Sequence, residues 1–138
     1  MAKDDSPQIA KVRLLTEGYR THIQIRDHEI ISDEPTDVGG SDTGPTPTEL
    51  LAGALGACTA MTLRMYAKNK QWPLEGVEVE IEQQEERTPT GSVTRIQRKI
   101  QLHGPLDEEQ KQRMLAIAGK CPVARMITGT VELSSALA

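Results

Sequence analysis

Residues 33–70 read DEPTDVGGSDTGPTPTELLAGALGACTAMTLRMYAKNK, and the reading of this stretch decides the fold. Its first part, 33–47, holds three prolines and three glycines. That composition predicts a long loop, and loops of this length in a small domain are functional or disordered. The loop ends in a strong helix start. Thr46 can serve as N-cap, Pro47 takes the first helical position and Glu49 can reach back, which makes a capping box. From Pro47 a helix rich in Ala, Leu and Met is expected to about residue 70. It carries no charge between Glu49 and Arg64. A helix so apolar is expected to be covered on most sides.

Working outward, residues 1–7 read as a frayed tail. Gln8 to Leu15, Tyr19 to Arg26 and Glu29 to Ser32 show strand patterns joined by turns at Glu17-Gly18 and Asp27-His28, an antiparallel meander. Downstream, Trp72-Pro73 ends the long helix. Val77, Val79 and Ile81 alternate with Glu78, Glu80 and Glu82. Gln84 to Ser92 reads as a polar turn, and Val93 to His103 alternates again through Ile96, Arg98, Ile100 and Leu102, so the pair is expected to form a hairpin. Asp107 to Gly119 predicts an amphipathic helix with Met114, Leu115 and Ile117 inside. A short helix follows from Pro122 to Ile127, and 129–133 reads as a last strand. Strands in hairpins and helices in blocks predict an α+β fold over 1–138, a single domain with an antiparallel β-sheet packed on a long central helix.

The chain has 138 residues, 37% of them apolar and 26% charged, an ordinary globular balance. One Trp, two Tyr and no Phe leave the core to aliphatic side chains and offer few platforms on which bases could stack. The net charge of -4 gives no basic footprint for nucleic acid or an anionic membrane surface. No apolar run reads as a bilayer span, and Met1 to Ser6 lacks the apolar stretch of a signal peptide. A cytoplasmic protein is expected, and there two cysteines do not form a permanent structural disulfide. His22, His28 and His103 are scattered without metal-ligand spacing. The Gly39–Gly44 loop lacks the lysine of a phosphate-binding loop.

The two cysteines, Cys58 and Cys121, remain. On a wheel of about 100° per residue, Leu51, Ala54, Leu55, Met61, Thr62 and Met65 fall within about 60° of Cys58. Cys58 is therefore at the centre of the most apolar stripe, either a small core residue or a thiol that needs a nearby cation to ionise. Cys121 stands at a helix start, before Pro122 and after Lys120. It is either a tolerated cap or a thiolate stabilised by free N–H groups.

The run DEPTDVGGSDTGPTPTELLAGALGACTAMTLRMYA, then a hairpin, then KCPVARMI, resembles the OsmC/Ohr superfamily. The resemblance covers roughly residues 19 to 133, and each of its two motifs is centred on one of the cysteines. It implies an intertwined homodimer with sites near the subunit interface, which would cover the apolar helix. It also implies a thiol-dependent peroxidase acting on organic hydroperoxides. Cys58 would attack the peroxide and become a sulfenic acid, and Cys121 would condense with it to a disulfide. An external dithiol, such as a lipoyl group, would then reduce that disulfide, and no bound cofactor is implied.

The resembled family also uses an Arg from the N-terminal strands to hold the thiolate. Arg20 is the best match, with Arg26 and Arg13 as alternatives. At the position of the family's orienting Glu this chain has Thr48. Glu49, next to it, lies about 180° from Cys58 on the wheel and reads first as the capping partner of Thr46. Two other functions keep their place: a redox sensor with the same thiols, and a binding module that takes a lipid or acyl ligand with both cysteines as filler.

Overall fold

The computed structural model describes residues 6–138, so the expected tail lies largely outside the described residues. The chain forms two compact units, Met1–Leu51 and Ala52–Ala138.

In the first unit β1 (Lys11–Leu14), β2 (Thr21–Ile25) and β3 (His28–Ser32) form an antiparallel sheet in that order. Val12 pairs with Ile23 and Ile23 with Ile30. The first strand is shorter than Gln8–Leu15, because its pairing with β2 begins only at Lys11 opposite Gln24.

The loop after β3 is ordered by one buried carboxylate. Asp33 accepts the hydroxyl of Thr43 at 2.6 Å and the backbone N–H groups of Glu34, Thr43 and Ser41 at 2.8, 3.1 and 3.5 Å. Chiefly through the Thr43 hydroxyl, and against the desolvation that burial imposes, these bonds hold its pKa down at about 2. Ser32 donates to the Pro45 carbonyl at 2.8 Å. The strands of the loop run so close together that a Cβ on Gly40 would lie 1.9 Å from the Glu34 carbonyl oxygen, which excludes any other residue there.

The helix α1 (Pro47–Lys70) starts as its sequence predicts. Glu49 N–H donates to Thr46 Oγ1 at 3.2 Å, and Thr46 N–H donates to Glu49 Oε1 at 2.9 Å. The helix begins in the first unit and runs on through the second.

In the second unit β4 (Gly76–Thr88) and β5 (Gly91–His103) form a two-stranded antiparallel hairpin. It is longer than the alternation predicts. Gln84 to Arg87 pair with Arg95 to Ser92 rather than forming a turn. Their side chains are exposed on both faces, so no face selects apolar residues and the alternation vanishes while the backbone ladder continues. The chain then forms α2 (Glu108–Ala118) and α3 (Pro122–Thr128). Asp107 caps α2 in a reciprocal capping box with Gln110. Its inner face is Met114, Ile117 and Ala118, and Leu115 points outward. Leu115 is about 100° from Met114 around the axis, so the two cannot share so narrow a face. The last strand expected at 129–133 does not form. These residues pair with neither sheet and Leu133 is 91% exposed. An alternating sequence without a partner edge has nothing to satisfy its backbone.

The core of the second unit has two parts. One gathers Leu63, Ala67, Leu74, Leu106, Met114, Ile117 and Ala118. The other gathers Leu55, Cys121 and Ala124, with Cys58, Ile81, Ile96 and Val123 packed against it. The buried stripe of α1 is therefore Leu55, Thr59, Leu63 and Ala67, an i, i+4 row centred roughly 120° from Cys58. Met61 and Met65, expected inside beside Cys58, are 61% and 47% exposed. The wheel finds the apolar arc correctly, but that arc is wider than the face the hairpin covers. By length and composition α1 also suffices to cross a membrane, contrary to the sequence expectation, a test that the core helix of a soluble protein passes equally.

Candidate functional site

Cys58 lies on the flank of α1, half-buried, and Cys121 lies at the N-cap of α3, fully buried at 0% exposure. The local winding explains the position of Cys121. Gly119 ends α2, and Lys120 and Cys121 donate their N–H groups to the carbonyls of Ile117 and Ala118 at 2.9 and 3.3 Å. Arg125 N–H then donates to the Cys121 carbonyl at 3.0 Å to open α3. Pro122 at the first helical position has no N–H to leave unsatisfied. The junction turns within a few residues, and Cys121 is driven inward between Leu55 and Ala124.

There the two thiols share one packed cluster, and their interaction moves them apart in acidity. Burial raises the Cys58 thiol, and its interaction with Cys121 raises it further, so its pKa lies above the ordinary value. Burial also pushes Cys121 up. It is outweighed by the polar hydrogens that surround it, those of Cys58, Ala124, Thr59 and Val123, so the Cys121 pKa lies below the ordinary value. The backbone donors among these are the free first-turn amides of α3, which favour negative charge. Of the two thiols Cys121 is therefore the more acidic.

The residues beneath the thiols are polar and fully satisfied. Thr59, wholly buried, donates to the Leu55 carbonyl at 2.8 Å. Arg98 of β5 donates from Nη1 to Thr59 Oγ1 at 3.0 Å and to the Ala118 carbonyl at 2.9 Å. Thr59 and Arg98 are absent from the sequence-based candidates. Arg98 left a signal, since it occupies an inward register among Ile96, Ile100 and Leu102, opposite Ile81. A cation in an apolar alternation needs a buried acceptor. Thr59 left none, because a threonine in a helix is unremarkable until its neighbours are known.

Of the residues singled out by sequence, Cys58 and Cys121 are brought together. Arg20 and Glu49 belong to the first unit. Arg20 is exposed at the entry to β2. The Glu49 carboxylate is engaged by the cap, where the backbone N–H of Thr46 and then its hydroxyl lower its pKa.

The family model for OsmC-like proteins matches residues 39–135. The chain belongs to the OsmC family. Solved structures share the fold of this OsmC-like protein. An OsmC-like protein from Mycoplasma pneumoniae is 20% identical with a TM-score of 0.77, over 91% of this chain and 90% of that one. An organic hydroperoxide resistance protein OsmC from Legionella pneumophila is 24% identical with a TM-score of 0.68, over 89% and 90%. An organic hydroperoxide resistance protein from Elizabethkingia anophelis is 18% identical with a TM-score of 0.66, over 88% and 89%. No curated protein matches the OsmC-like chain in sequence.

Proposed function

We propose that this protein is a thiol-dependent peroxidase that reduces organic hydroperoxides through Cys58 and Cys121. The observation that carries the reading is the pair of cysteines packed into one cluster of an OsmC-family chain, one half-buried and one sealed. A hydroperoxide can reach Cys58 and not Cys121. The Cys58 thiolate attacks the terminal peroxide oxygen, the O–O bond breaks, and the alkoxide leaves as the alcohol after taking a proton. Cys58 is then a sulfenic acid. The Cys121 thiolate attacks the Cys58 sulfur, the S–O bond breaks, and hydroxide leaves as water with one proton. An external dithiol reduces the resulting disulfide by exchange. The apolar lining of Leu55, Ile81 and Ile96 favours a substrate with an alkyl or aryl tail.

Cys58 must first lose its proton, and its raised pKa opposes that. A cation is required, and Arg20 is the proposed donor. A homodimer is proposed on the same footing. Met61 and Met65 on α1, and Val12 and Leu14 on the first sheet, are large apolar side chains left exposed by the single chain. A second copy would cover such surface. The cytoplasm, where dithiol reductants are kept reduced, is the proposed location.

The test is a free-thiol count before and after about one equivalent of cumene hydroperoxide. Wild type should lose both thiols to a disulfide, and Cys121→Ser should lose its one thiol to a sulfenic acid. Cys58→Ser should keep Cys121 reduced. A wild-type chain that keeps both thiols in a large excess of peroxide would overturn the reading.

A further inference from the structure

Arg98 is, among the described residues, the charged side chain bonded beside the thiol cluster, and its partners are unusual. It is half-buried, and among the described residues no carboxylate pairs with it. Its Nη1 instead divides between two neutral oxygens, Thr59 Oγ1 and the Ala118 carbonyl. Removing a guanidinium from water for neutral acceptors alone gives little stability. What the contacts do provide is a link between three elements.

The Ala118 carbonyl ends α2 and has no partner further along that helix. It accepts two donors, Arg98 Nη1 from one side and the Cys121 N–H at 3.3 Å from the other. The charge of Arg98 also sits where a helix C-terminus favours a cation. The second oxygen, on Thr59, belongs to α1 next to Cys58. Its hydroxyl donates its one proton to the Leu55 carbonyl at 2.8 Å and has the Cys121 sulfur as a neighbour that negative charge would favour. Arg98 occupies one acceptor site of the hydroxyl and leaves its single proton free to turn to the sulfur when that sulfur is negative. The ionisable groups that meet the Cys121 sulfur are Cys58 from α1 and, through Thr59, Arg98 from β5. Ile81 of β4 is apolar, and Lys120 and Arg125, beside Cys121 in the chain, are exposed.

We infer that Arg98 is a positioning residue of the thiol pair: through Thr59 and Ala118 it locks the turn that carries Cys121 onto the helix that carries Cys58, in the arrangement that closes the disulfide. The inference rests on the proposed thiol chemistry but acts on its second step, the attack of Cys121 on the Cys58 sulfur. Capture of the peroxide oxygen by Cys58 does not use Arg98.

The test separates those steps on the full chain. Oxidised dithiothreitol is the first oxidant, because closing the pair through a mixed disulfide on Cys58 requires no peroxidase activity. Closure should fall about tenfold or more in Arg98→Met and in Thr59→Val, the loss of one charge-assisted contact. Arg98→Lys, which keeps the charge and can still donate, should recover part of it. Thiolate absorbance of Cys121 in a Cys58→Ser background should shift to higher pH in Arg98→Met, a change that a merely structural arginine would not produce. Cumene hydroperoxide is the second oxidant. With it, the first step should keep its rate within about twofold, while sulfinic acid accumulates on Cys58 as the unresolved sulfenic acid meets more peroxide.

If Arg98→Met does not fold, Thr59→Val, which preserves volume, decides. Wild-type closure rates in both variants would overturn the inference. A wild type that closes with oxidised dithiothreitol yet ignores the peroxide would instead overturn the peroxidase reading and leave Arg98 in its role.

Discussion

Two apolar residues on α1, two positions apart, should behave oppositely when truncated. Leu63 is wholly buried among Ala67, Leu74, Leu106 and Met114, whereas Met61 is 61% exposed. Leu63→Ala removes a buried side chain from a site walled by α2 and both strands, which can collapse only in part. A loss of about 3–5 kcal/mol is expected. For 138 residues each kcal/mol moves Tm by about 3–4 °C, so Tm should fall by about 9–20 °C. Met61→Ala leaves no cavity in the chain and should cost under about 0.5 kcal/mol wherever the chain is monomeric. If a second copy covers Met61, the cost should grow with protein concentration, because mass action then couples folding to association. The assay is urea unfolding of both variants and wild type across a hundredfold range of protein concentration, about 1–100 μM. The Leu63→Ala loss should be the same throughout. A Met61→Ala loss as large as that of Leu63→Ala at every concentration would refute the rotation of the buried stripe away from Cys58.

Two further predictions concern ionisation. Thiolate absorbance in the reduced protein should rise in two steps, one below and one above the ordinary thiol range. Cys121→Ser should abolish the lower step; loss of the lower step in Cys58→Ser alone would reverse the assignment. Asp33 has its folded pKa held down to about 2, below the unfolded value of about 3.9. Its contribution to stability is therefore complete above the unfolded value and is lost as pH falls through the folded one. Urea midpoints of wild type should decline across pH 5 to 2 more steeply than those of Asp33→Asn, which lacks the titrating group, and parallel curves would exclude Asp33 as a cause.

How much of this could be read beforehand depended on whether the determinant was local. The cap at Thr46 and Glu49, the break at Trp72-Pro73 and the entry to α3 at Pro122 depend on neighbours in sequence, and each was legible. The pairing of Cys58 with Cys121 came from the family resemblance, since no periodicity links an α1 residue to a turn so distant in the chain. Arg98 and Thr59 were missed for the same reason. Their meaning lies in a contact between β5, α1 and the end of α2, and none of the three contains it alone. The expected strand at 129–133 failed in the opposite sense, because alternation describes a residue pattern and not the presence of an edge to receive it.

The long hairpin has a consequence for motion. Near Val77 and Leu102 its ladder is backed by α1 and α2, while from Gln84 to Arg95 both faces meet water. One set of backbone hydrogen bonds therefore runs from a buried to a solvated setting without a break. Amide protons should exchange slowly at its base, through global unfolding, and quickly at its tip, through fraying that the rest of the unit does not feel. The ribbon is a graded spring, stiff where Arg98 and Ile81 face the cysteines and soft where it leaves the body. Movements at the free end can thus be absorbed along the strands before they reach the sulfur pair.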